Sequence, residues 1–119
     1  MLTSKNIVGR WDYFSGQADV YKHIIRILKD TDKVEGKTCG DLFTLIENYV
    51  NEPFVEWDEN SHYYKDGQKD TLLFFSRLLI PLGHTVNKDD IARLLREIDK
   101  KYQDAAGELN DILQYLRRI

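Results

Sequence analysis

The stretch KDDIARLLREIDKKYQDAAGELNDILQYLRRI, residues 88–119, decides the fold. Ile91, Leu95, Ile98, Tyr102, Ala105, Leu109, Ile112, Leu116 and Ile119 recur at alternating intervals of four and three, which puts them on one stripe of a helix. Leu94, Ala106, Leu113 and Tyr115 widen that stripe on both sides. A wide stripe suits packing inside a bundle better than the narrow seam of a two-stranded coiled coil. Asn87 is placed to cap the helix, and Asp89 and Asp90 in its first turn face the positive end of the helix dipole. Unbroken, such a helix is about 48 Å long at roughly 1.5 Å per residue. Gly107 costs about 1 kcal/mol relative to alanine and marks the natural place for a bend or a break.

Upstream, three shorter helices are predicted. In SGQADVYKHIIRILKDTDK (15–33), Val20, Ile24, Ile27 and Leu28 share a face, Ser15 offers a cap and Asp19 suits the early turn. In TCGDLFTLIENYVNEP (38–53), Thr38 and Asp41 have capping-box spacing, and Leu42, Leu45, Ile46 and Tyr49 form the apolar side before Pro53. DTLLFFSRLLIPLG (70–83) can be capped by Asp70 and is apolar nearly all round until Pro81 and Gly83, so it belongs at the centre. The reading is therefore an all-α fold: one domain, 1–119, an antiparallel bundle of four to five helices with a long C-terminal helix. Two stretches resist it. IVGRWDYFSG (7–16) reads as non-helical, with Trp11 and Phe14 folding back to seal one end of the bundle. FVEWDENSHYYKDGQKD (54–70) carries a Lys-Asp-Gly turn signal and reads as a loop or small hairpin. Any β-structure is expected only at 5–14 and 54–68. No internal repeat and no low-complexity linker is apparent.

A chain of 119 residues with 42% apolar content can bury one core. No apolar run reaches the roughly 18 to 20 residues of a membrane span. The amino end, MLTSKNIVGRWDY, lacks the long apolar segment of a secretory signal, which favours a cytoplasmic protein. The single Cys39 excludes an internal disulfide and clustered-thiolate metal sites. Net charge is −3, unevenly spread: residues 1–60 hold seven Lys/Arg against eleven Asp/Glu, and residues 61–119 hold ten against nine. From Glu47 to Glu59 there are five carboxylates and no Lys or Arg, a field that repels a phosphate backbone and argues against nucleic-acid binding.

The chemistry concentrates in 52–70. Glu56, Asp58, Glu59 and His62 are donors that zinc, manganese or iron accept, and His23 or His84 could join them in the fold, yet no Glu-x-x-His, His-Glu-x-x-His or calcium-loop spacing is present. Cys39 stands at the presumed amino end of a helix, whose dipole can lower a thiol pKa, but TCGD reads equally well as a plain helix start. Phosphate-cradling glycine loops are absent. What remains is partner binding: Phe54, Trp57, Tyr63 and Tyr64, interleaved with Glu52, Glu56, Asp58 and Glu59, suit docking against a basic, partly apolar protein surface. The competing reading turns Phe54 and Trp57 inward and leaves the carboxylates solvated.

The order YKHIIRILKDTDKVEGKTCGDLFTLIENYVNEPF, then TLLFFSRLLIPLG, then a long charged helix, resembles the cytosolic domain of stage III sporulation protein AB. That domain is flanked by membrane segments not found in this sequence, and its middle is longer, so no residue roles are carried over. The sequence thus points to a non-enzymatic protein-binding module of the inhibitor, immunity or adaptor type, with no cofactor, a basic partner, and dimerisation through the C-terminal helix if its stripe faces solvent. The rival is a small metal-dependent enzyme using Glu56, Asp58 and His62.

Overall fold

The computed structural model describes residues 4–50, 61–83 and 85–118. The expected helical bundle with a long final helix forms: α1 (Ser4–Lys29), α2 (Thr31–Val34), α3 (Cys39–Val50), α4 (Ser61–Leu79) running into a 3-10 turn at Ile80–Leu82, and α5 (Lys88–Arg117). Among the described residues the only β pairing is an isolated antiparallel bridge, Thr38 with Thr85.

Local chemistry sets the helix ends. Asn87 Oδ1 accepts the Asp90 N–H at 2.8 Å while Asp90 Oδ2 accepts the Asn87 N–H at 3.1 Å, a complete capping box. Thr38 Oγ1 accepts the Asp41 N–H at 3.0 Å at the start of α3. Pro81 and Gly83, the latter at φ 87°, end the α4 path; Gly36, at φ 84°, makes the matching turn before α3. These two turns are stitched together, with Gly36 N–H donating to Val86 O at 2.8 Å and Val86 N–H to Lys37 O at 2.9 Å.

α5 runs unbroken through Gly107, where the space beside the Cα is open. Its buried residues Ile91, Ile98, Ala105 and Ile112 recur every seven positions, with Leu94 beside them. Leu95 and Tyr102 lie half-buried at the core margin, and Leu113, Tyr115 and Leu116 are exposed. The stripe is therefore core along most of the helix and surfaces near its end. Val20, Ile24, Leu28, Leu42, Ile46, Phe75 and Ile98 form the centre of the core.

Two expectations need correction. The stretch 7–16 is helical, and α1 starts at Ser4 instead of at a Ser15 cap; Trp11 and Phe14 lie half-buried along it, Phe14 edge-on to Tyr13 with ring centroids 5.3 Å apart. Likewise α4 begins at Ser61, so SHYYKDGQ is helical and Asp70 is an internal residue instead of a cap. The reason is packing. A Cβ on Gly16 would lie 2.1 Å from the Tyr64 carbonyl oxygen, and one on Gly67 would lie 2.1 Å from that of Tyr13. Residues that read locally as helix breakers are what let the two backbones touch, in the manner of Cα–H···O contacts at close helix crossings. Tertiary contact outweighs a cost of about 1 kcal/mol per glycine.

α1 and α4 run parallel: Gly9 lies against the Tyr63 ring, Gly67 against Tyr13, and Tyr21 edge-on to Phe74, each pair further along both helices. α5 runs antiparallel to α1, with Arg10 pairing Glu108 at 3.0 Å. The arrangement is reciprocal. Tyr13 donates to Asp70 at 2.5 Å, and Tyr64 donates to Asp19, on either side of the glycine contact. Reciprocity of this kind, where i meets j′ and j meets i′, is the signature of a twofold relation. A repeat absent from the linear reading underlies it: Tyr13, Gly16, Gln17 and Asp19 recur as Tyr64, Gly67, Gln68 and Asp70. The first helices of the two halves make the most extensive contact in the molecule, and each second helix packs chiefly on the other half's first, α5 on α1 and α3 on α4.

Candidate partner-binding site

Six of the eight partner-binding candidates, Glu52, Phe54, Glu56, Trp57, Asp58 and Glu59, lie outside the described residues. Tyr63 and Tyr64 are described, and both have internal partners. The Tyr63 ring covers Gly9, 3.1 Å from where a Cβ would stand, and carries the exposed His62 ring at 3.9 Å between centroids. The Tyr64 hydroxyl is held by Asp19; burial first, then the bonded and charged Asp19, push its phenol well above the usual range. One residue further on, Lys65 Nζ donates to the Val50 carbonyl oxygen at 3.3 Å. The last residue of α3 and the amino-terminal part of α4 are thereby tied together.

Behind this tie the α1–α4 seam carries further polar groups. Gln17 Nε2 donates to the Tyr13 hydroxyl at 3.3 Å, and burial, then the hydrogen bond to Asp70, raises the Tyr13 phenol to about 12. Thr71 Oγ1 donates to the Gly67 carbonyl at 3.0 Å. Gln68 is only 6% exposed, and among the described residues its Oε1 has no hydrogen-bond partner, an arrangement that costs about 1 to 3 kcal/mol.

The other candidates fall differently. His23 stacks on Tyr49, with rings 3.9 Å apart and 13° from parallel. The Cys39 thiol is pushed up by burial and then by the nearby Asp90 charge, opposite to the lowering that activates a nucleophile. Among the described residues no three His, Cys, Asp or Glu side chains gather as a metal site; Glu56, Asp58 and His84 lie outside them. No helix among them is long and apolar enough to cross a membrane.

Two surface clefts were not foreseen. One, of about 270 Å³, runs between α3 and the end of α4, lined by Cys39, Phe43, Leu79 and Ile80, the last 78% exposed. The other, of about 570 Å³, lies where α1, α2 and α3 meet and is lined by Arg26, Lys33, Lys37 and Leu45 among others. The signal for the seam was legible in the repeated Tyr-x-x-Gly-Gln-x-Asp; the clefts depend on how the halves dock and have no linear signature. No known protein family, curated protein or solved structure matches this chain.

Proposed function

We propose that this protein is a non-enzymatic protein-binding module, of the inhibitor, immunity or adaptor type, that grips a basic partner through its acidic–aromatic segment. The observation that carries this reading is the tie between Lys65 and Val50, reinforced one residue away by Tyr64 and Asp19. Both ends of 51–60 leave from fixed points on packed helices, the arrangement by which rigid scaffolds present recognition loops. Glu52, Glu56, Asp58 and Glu59 supply negative charge without a Lys or Arg between them, and Phe54 and Trp57 supply apolar anchors. Charge of one sign steers a cationic partner to the surface; buried aromatic side chains then slow its departure. On this reading Tyr63 and Tyr64 belong to the mount, and the six residues before them make the contact.

The test is what accompanies the purified protein. A basic protein recovered in stoichiometric amount, and lost when Glu56 and Asp58 are reversed to lysine, supports the binder. Stoichiometric metal without such a protein would favour the enzyme that uses Glu56, Asp58 and His62.

A further inference from the structure

The cleft of about 570 Å³ at the far end of α1 has a character of its own. Arg26, Lys33 and Lys37 stand around it, and Ile27, Val34 and Leu45 give it an apolar lining. Its one carboxylate, Asp30, is already engaged by Lys33 at 3.5 Å. Among the described residues neither Arg26 nor Lys37 has a carboxylate within 4 Å, and Leu45 is 41% exposed. A volume of this size falls in the usual range for recognition pockets. Its chemistry fits an acidic peptide with an aromatic anchor.

The chain carries such a peptide. NEPFVEWDEN, residues 51–60, has four carboxylates, two aromatic rings and no cation. We infer that the cleft is the docking site for this segment from a second copy of the chain, Trp57 seated against Ile27 and Leu45, and the carboxylates facing Arg26, Lys33 and Lys37. This rests on the proposed role of the segment as a contact surface and names one partner for it. Four carboxylates and no cation on the segment meet three cations and one already paired carboxylate around the cleft, and a chain that stays monomeric would leave the segment to its own copy's cleft or to neither. Because segment and cleft are different surfaces, two copies that exchange segments close as a dimer, and copies joined head-to-tail close as a ring or continue as a chain.

Sedimentation equilibrium of the full chain over rising concentration tests this. At low salt the mean mass should climb past that of a monomer, and at high salt it should fall back, since salt screens the attraction between the two sets of charges. Lys33→Glu with Lys37→Glu, the first exposed and the second half-buried, should weaken association about tenfold or more, as should Glu56→Lys with Asp58→Lys. Mixed, the two variants restore both contacts: the unaltered segment of the cleft variant meets the unaltered cleft of the segment variant, and lysines on the other segment face glutamates in the other cleft, so association should return. A wild-type chain that stays monomeric at all concentrations in low salt overturns the inference, as does a cleft reversal that leaves association unchanged. If self-association is absent while a separate basic protein still binds through the segment, the inference fails and the proposed function stands; loss of both removes both.

Discussion

Gly16 and Gly67 meet back to back where α1 touches α4: a Cβ on either would stand 2.1 Å from a backbone carbonyl oxygen of the other helix, that of Tyr64 or of Tyr13. Both obstacles are main chain, so neither can swing aside as a side-chain tip would. Gly16→Ala and Gly67→Ala should each destabilise the fold by about 1 to 3 kcal/mol through overpacking, even though alanine is the better helix former by about 1 kcal/mol. Urea titration reads this as a lower midpoint. Unchanged midpoints for both variants would mean that the helices stand further apart.

Gly107 should respond with the opposite sign. It lies inside α5 with open space where a Cβ would go. Gly107→Ala should therefore stabilise the protein by about 0.5 to 1 kcal/mol, from helix propensity and a less flexible unfolded chain. The same titration checks it, and a loss of stability would show that α5 needs to flex at this point.

These glycines show what the sequence could and could not disclose. The long α5 stripe, its Asn87 cap, the Thr38 start of α3 and the stop at Pro81 and Gly83 were legible because each depends on neighbours within a turn. The amino half of α1 and the first turns of α4 were not, since Gly9, Gly16 and Gly67 read as punctuation until the other helix is in place. The internal contacts of Tyr63 and Tyr64 were not legible for the same reason, since Gly9 and Asp19 are distant from them in the chain. The repeated Tyr-x-x-Gly-Gln-x-Asp is the local pattern that could have joined them.

The two Tyr–Asp bonds across the seam predict an alkaline response. Burial and a neighbouring carboxylate raise the folded-state pKa of Tyr13 to about 12 and raise that of Tyr64 as well, against an unfolded value of about 10. The folded state thus holds these protons more tightly than the unfolded one. Their contribution is fully present below pH 10 and is lost as pH rises through the folded values, so stability should fall above about pH 10. Tyr13→Phe with Tyr64→Phe should flatten that decline, seen in thermal midpoints across the alkaline range. An equally steep decline in the double variant would assign it to other groups.

Burial grades the α5 stripe. Ile98 is fully buried in the core, so Ile98→Ala should cost about 2 to 5 kcal/mol through lost transfer energy and the cavity left behind. Leu95, half-buried at the margin, should cost less. Leu116 is exposed, and Leu116→Ala should stay within about 0.5 kcal/mol for an isolated copy. A large loss at Leu116 that grows with protein concentration would point instead to dimerisation through the end of this helix.

The acidic–aromatic segment is tested by separating rates. On the proposed reading Glu56 and Asp58 face the partner, so Glu56→Lys with Asp58→Lys should leave stability nearly unchanged, since solvated carboxylates contribute on the order of 0 to 1 kcal/mol each. The reversal should nonetheless slow association with a basic partner captured from lysate, and the slowing should shrink as salt screens the field. Trp57→Ala should act on the other rate: removing an anchor raises dissociation and costs about 2 kcal/mol or more if the ring fills a pocket on the partner. Binding kinetics at two salt concentrations distinguish the two effects. If the reversal leaves low-salt association unchanged, or if Trp57→Ala unfolds the protein, Trp57 belongs to the core and the tie between Lys65 and Val50 closes a structural connection instead of presenting a contact surface.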